Sequence, residues 1–133
     1  MKAKRNKKYV PRIPNIPMMR ETHDDLALTL RMAIETLIAC PDIEAYNEVS
    51  LRFITLGRAM GPQPFMEQAK QAMLDIAARF ERVGKIGVSA SEAASLREVS
   101  GDMDRAIAKV PVNRMLFAEL RTQQMAANEG VVR

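Results

Sequence analysis

The 133-residue chain has no tryptophan, a single cysteine, a single histidine and only 5% aromatic residues. Each shortage closes a class of chemistry. One cysteine, Cys40, excludes an internal disulfide framework and any cysteine-based metal cluster within one chain. It stands before Pro41 at the expected end of a helix, with no cation beside it to hold a thiolate. Its expected role is that of a small buried hydrophobe. The lone His23, beside Asp24 and Asp25, has no second His or Cys with which to complete the roughly four ligands of a zinc site. Those acids read instead as favourable charge at a helix start. Without a second histidine, no serine (Ser50, Ser89, Ser91, Ser95, Ser100) has a base-and-orienter set for nucleophilic catalysis. Gly84-Lys85-Ile86-Gly87 resembles a fragment of a phosphate loop but lacks the preceding strand and the closing Lys-Ser/Thr. The carboxylate pairs Glu44/Glu48 and Glu98/Asp102 have helical spacing and read as a solvated face. No enzyme activity, cofactor, metal or small-molecule substrate is therefore expected.

No apolar run approaches the 18 or so residues that cross a bilayer. Pro11, Pro14 and Pro17 interrupt the stretch in which a secretory signal needs continuous apolar residues. A cytoplasmic protein with no membrane contact is expected. With so few aromatics, the core must come from Leu, Ile, Val, Ala and ten Met, a side chain that fits irregular gaps and adaptable interfaces alike.

What is present is unevenly placed. Residues 1–20 carry Lys2, Lys4, Arg5, Lys7, Lys8, Arg12 and Arg20 and no acid, whereas residues 21–133 hold thirteen basic and sixteen acidic residues. The net charge of +4 thus belongs to an N-terminal arm attached to a mildly acidic body. Within the arm, Pro11, Pro14 and Pro17 repeat every third residue, as do Val10, Ile13, Ile16 and Met19. Three is the period of a polyproline II helix, in which the second set forms one apolar ridge spanning roughly 31 Å. That ridge is expected to lie on a helical bundle, its own or a partner's.

From residue 21 onward the pattern is helical. Thr22 is the expected N-cap of a helix over 23–40, whose core face is Leu26, Leu30, Ala33, Ile34, Leu37 and Ile38. Leu28 and Met32 fall on the opposite side, and a helix apolar on two sides needs a second cover. Pro41-Asp42 restarts the chain for a helix over 43–60 with Tyr46, Val49, Phe53, Leu56 and Met60 inward, and with a Glu48–Arg52 pair outside. Gly61-Pro62-Gln63-Pro64 breaks it. The next helix, 64–83, faces inward with Phe65, Ala69, Ala72, Met73, Ile76, Phe80 and Val83, and outward with Asp75 and Arg79. A capping box at Ser89 and Glu92 opens a fourth segment, whose core residues are Leu96, Val99, Met103, Ile107 and Val110. Gly101 within it permits a bend, a close helix approach or a break. After Pro111 a last helix, 112–128, is expected to anchor through Leu116, Phe117 and Leu120. No segment alternates as a strand does, and the short connections predict antiparallel neighbours. The expected fold is all-α: a four- or five-helix bundle over 21–130 with an extended, proline-spaced basic arm over 1–20.

Pro11, Arg12, Ile13 and Pro14, then Pro17, Met18 and Met19, then Glu21, Thr22 and the Leu-rich helix, resemble small uncharacterised all-helical proteins of proteobacterial phages and plasmids. The resemblance covers residues 10–40. It carries no catalytic motif and implies a mobile-element accessory protein.

The functional expectation is a non-enzymatic interaction protein that binds another protein or itself, as a homo-oligomer and in the simplest case a dimer. Its candidate contacts are Val10, Ile13, Ile16, Leu28 and Met32. The rival class is a nucleic-acid-binding accessory protein that neutralises phosphates with Lys2, Lys4, Arg5, Lys7, Lys8 and Arg12. Tyr9 is the only aromatic available there for base stacking. A helix-turn-helix over 92–121 fits poorly, because Lys109-Val-Pro-Val-Asn113 would have to form the turn.

Overall fold

The computed structural model describes residues 20–129, apart from the side chains of Glu21, Ala126, Asn128 and Glu129. They form five helices: α1 (Arg20–Ala39), α2 (Ile43–Met60), α3 (Pro64–Val83), α4 (Ala90–Ile107) and α5 (Val112–Glu129). No strand occurs among the described residues, and none of these helices is long and apolar enough to cross a membrane. The apolar arm residues Val10, Ile13 and Ile16 and the cations Lys2, Lys4, Arg5, Lys7, Lys8 and Arg12 lie outside the described residues.

The helix ends follow from local chemistry. Asp42 caps α2, its Oδ1 accepting from the Ala45 amide at 2.7 Å. Pro64 opens α3 at a position where its missing N–H costs nothing. Gly84 closes α3 in the left-handed conformation (φ 85°), open to glycine without strain, and its amide donates to the Phe80 carbonyl. Gly84-Lys85-Ile86-Gly87 is thus the cap of α3 and the start of its connection to α4. Ser89 and Glu92 form the expected capping box. At the start of the fold the expectation fails: α1 already includes Arg20, so Thr22 lies inside the helix and does not cap it.

Helices α1 to α4 make an antiparallel bundle, with α1 beside α2 and α4, and α3 beside α4. α5 packs on α2 alone, and its Met115 and Ala118 extend the bundle's core. Leu30, Ile34 and Leu37 of α1, Val49, Phe53 and Leu56 of α2, Ala72, Met73 and Ile76 of α3, and Leu96, Val99, Met103 and Ile107 of α4 form one core. Tyr46 and Met60 pack at its edge, and the Tyr46 hydroxyl donates to the Met73 carbonyl at 3.0 Å. Val83, expected inward, is exposed at the last turn of α3. α4 is one continuous helix, and a Cβ built on Gly101 would meet no atom within 4 Å. The glycine therefore serves neither a break nor a close approach.

The largest departure is in α5. Leu116, Phe117 and Leu120 point to solvent, and the buried residues among its described side chains are Met115, Ala118 and Thr122. Both sets have helical spacing. α2 presents Leu51 and Thr55 toward α5 along their shared groove, and the smaller stripe is the one turned onto it. Cys40 departs as well. It sits past the last turn of α1, exposed, with its amide donating to the Thr36 carbonyl at 2.8 Å.

Candidate interaction surface

Two outward faces carry apolar side chains the core does not use. On α1, Leu28 and Met32 are one turn apart and face away from Leu30, Ile34 and Leu37, as their spacing predicts. On α5, Leu116, Phe117 and Leu120 lie within one turn of one another, opposite the α2-facing stripe. All five are between 51% and 70% exposed. Ile43, Ile54, Leu74 and Val83 are exposed too, but none has an exposed large apolar residue three or four positions away. Isolated apolar side chains are normal on protein surfaces, whereas clustered ones mark contact sites. Of the candidate contacts named from the sequence, Leu28 and Met32 are brought together. The α5 trio was assigned inward because bulky apolar residues at helical spacing usually face a core. The competing stripe of Met115, Ala118 and Thr122 was the signal that could have revealed it.

The flanks of the two faces differ in charge. Asp24 and Asp25 lie one turn before Leu28. Asp24 meets His23 Nδ1 at 3.1 Å, and Asp25 makes no ion pair among the described residues. The nearby cations are turned elsewhere: Arg31 onto Asp104 at 3.4 Å, and Arg97 of α4 onto Glu35 with two bonds of 2.8 Å. On α5, Arg114 and Arg121 border Phe117, exposed and without an ion pair among the described residues. Glu119 lies on the other side, lining a groove of about 490 Å³ between α2 and α5 with Glu48, Arg52 and Gln123. Arg58 bridges that seam to Thr122 at 3.4 Å and to Met125 Sδ at 3.3 Å.

Several titratable groups hold the bundle together. His23 Nε2 lies 2.8 Å from both the carbonyl and the carboxylate of Asp104, in the last turn of α4. The Asp104 carbonyl bond, the Asp104 carboxylate and Asp24 together hold the imidazole above its usual 6.5, against a smaller opposing effect of burial. A cation at a helix C-terminus also suits the helix dipole. Glu92 is buried, which alone would push its carboxyl up. Hydrogen bonds from Arg79 and Ser89 outweigh that and hold it below 4.5. Arg79, expected to pair with Asp75, instead grips Glu92 with both guanidinium nitrogens and donates to the Gly87 carbonyl at 2.8 Å. Asp75 accepts from Gln71 at 2.8 Å. Of the carboxylate pairs, Glu48 is bound to Arg52 at 2.7 Å as expected, Glu98 accepts from Gln68, and Asp102 pairs with Arg105. Among the described residues, no three His, Cys, Asp or Glu side chains gather in a metal-binding arrangement.

No protein-family model matches the chain, and no curated protein or solved structure matches it.

Proposed function

We propose that this chain is a non-enzymatic interaction protein that binds another protein or a second copy of itself through apolar faces its own bundle leaves uncovered. The observation that carries the reading is the pair of clustered, outward apolar stripes: Leu28 with Met32, and Leu116 with Phe117 and Leu120. Burying such side chains is worth about 25 cal/mol per Å² of apolar surface, so a complementary partner gains from covering them. The absence of chemistry in this reading is supported by the groups themselves. His23 Nε2 and the Glu92 carboxylate are committed to contacts that join helices or close helix ends, and His23 Nδ1 meets Asp24. A cytoplasmic site of action goes with the reading, and the resemblance of residues 10–40 extends it to an accessory role on a phage or plasmid. Static light scattering across a wide concentration range tests it. A mass rising above the 14.9 kDa monomer is expected, and a mass constant at the monomer would overturn self-association.

A second reading is nucleic-acid binding by Lys2, Lys4, Arg5, Lys7, Lys8 and Arg12, favoured by a segment with seven cations and no acid. Deleting residues 1–9 would then abolish salt-sensitive retention on DNA or RNA. Under the first reading the same deletion leaves the scattering mass unchanged.

A further inference from the structure

We propose that the α5 face of one molecule docks on the α1 face of a second copy, so that the chain assembles head to tail. The inference rests on the self-association reading above and adds which surfaces meet. Each face is apolar at its centre, Leu116, Phe117 and Leu120 on α5 and Leu28 and Met32 on α1. One border of the α5 face is basic, with Arg114 and Arg121, and the N-terminal end of the α1 face is acidic, with Asp24 and Asp25. None of the four is neutralised within its own molecule by a Lys, Arg, Asp or Glu among the described residues, and Asp24 meets only His23.

Symmetry decides between the possible pairings. When two copies of one helix pack antiparallel about a two-fold axis, the same flank of each faces its counterpart. An α5–α5 pair centred on Phe117 would then set Arg114 of each copy against Arg121 of the other, whereas an α1–α1 pair centred on Leu28 and Met32 would leave the aspartates of the two copies at opposite ends of the contact. Like charges across the interface disfavour the α5–α5 pair, which leaves the α5 stripe to a different face. The crossed pairing places arginine opposite aspartate while covering both apolar stripes. It cannot form within one molecule, because α1 and α5 do not touch and both faces point away from the bundle. A contact between two different faces is heterologous, and it either closes a ring or continues as a chain of molecules.

The test uses full-length chains with one face disabled. In one variant Leu28→Asp and Met32→Asp break the α1 face; in the other Phe117→Asp and Leu120→Asp break the α5 face. All four positions are more than half exposed, and circular dichroism checks that each variant remains helical. Each variant alone should be monomeric at concentrations where the unaltered chain assembles. Their equimolar mixture should form a 1:1 dimer that grows no further, because one complementary pair of faces survives. Either variant dimerising alone would overturn the crossed pairing, as would a mixture that stays monomeric while the unaltered chain assembles. Both outcomes leave self-association standing, whereas an unaltered chain that never assembles removes both. A second pair keeps the test independent of folding at the apolar positions. Arg114→Glu with Arg121→Glu should weaken assembly at least tenfold, and mixing with a chain carrying Asp24→Lys and Asp25→Lys should restore assembly, with the two chains alternating. Failure of that restoration would also overturn the pairing.

Discussion

Helices α4 and α5 are both 18 residues long and both carry more apolar side chains than one narrow stripe requires, yet the bundle treats them differently. α4 is held by α1, α3 and α2, and Leu96, Val99, Met103 and Ile107 are wholly enclosed. α5 has one neighbour, and among its described side chains it buries Met115, Ala118 and Thr122 while its bulkiest residues face water. The difference shows that helical periodicity fixes where apolar side chains fall around an axis, but neighbours decide which stripe is used. A helix enclosed on several sides spends its large side chains on the fold, and one touched on a single side leaves them for another molecule.

That contrast is sharpest under truncation. Leu96→Ala in α4 should cost about 3 kcal/mol, read as a lowered urea midpoint, because it opens a cavity in a close-packed core. Leu120→Ala in α5 should change stability by less than about 0.5 kcal/mol, as surface substitutions do. Equal losses would mean that α5 is enclosed in solution. Next in size is Glu92→Ala, expected to cost about 2 kcal/mol in the same measurement. It leaves the Ser89 amide without its acceptor and removes the Arg79 link across the α3–α4 turn. Since the Glu92 carboxyl is held below 4.5, its contribution is complete above that pH and is lost as pH falls through the lowered value.

A gain of roughly 0.5–1 kcal/mol is expected from Gly101→Ala, because the backbone is already helical and the added methyl meets open space. A loss there would show that α4 needs the freedom of glycine. The smallest effect, under about 1 kcal/mol, belongs to His23. Its raised pKa means that its stabilising contact with the end of α4 is complete below pH 6.5 and is lost as pH rises through the folded-state value. Urea midpoints should therefore drift down as pH rises above 6.5, and His23→Asn should flatten that drift.

Much of this architecture was legible in the residues. Pro41-Asp42, Gly61 to Pro64, Gly84 with Ser89, and Pro111 punctuate the chain where backbone chemistry allows few alternatives, and α2, α3 and α4 begin at or beside those marks. The α1 and α4 core faces were readable because no second stripe of similar bulk competes there for the core. The missed features are those set by tertiary surroundings. The partner of Arg79 depended on Glu92 lying across a turn, thirteen positions away. The inward stripe of α5 depended on the surface of α2. Cys40 is exposed because α1 ends at Ala39, leaving it in the bend before Pro41. Of the candidate interaction surface, Leu28 and Met32 were legible as a surplus on a helix already supplied with a core face. Leu116, Phe117 and Leu120 were not, because their bulk made them look like the helix's own anchors.

The single neighbour of α5 also sets the order in which the molecule loosens. Among the described side chains, opening α5 uncovers Met115, Ala118 and Thr122 on its side of one seam, whereas opening α4 breaches contacts with three helices at once. Amide hydrogens of 112–125 should accordingly exchange with solvent far sooner than those of 96–107, at free energies well below that of global unfolding. The molecule would come apart from its C-terminal helix inward, and a second molecule resting on that helix would slow the first step.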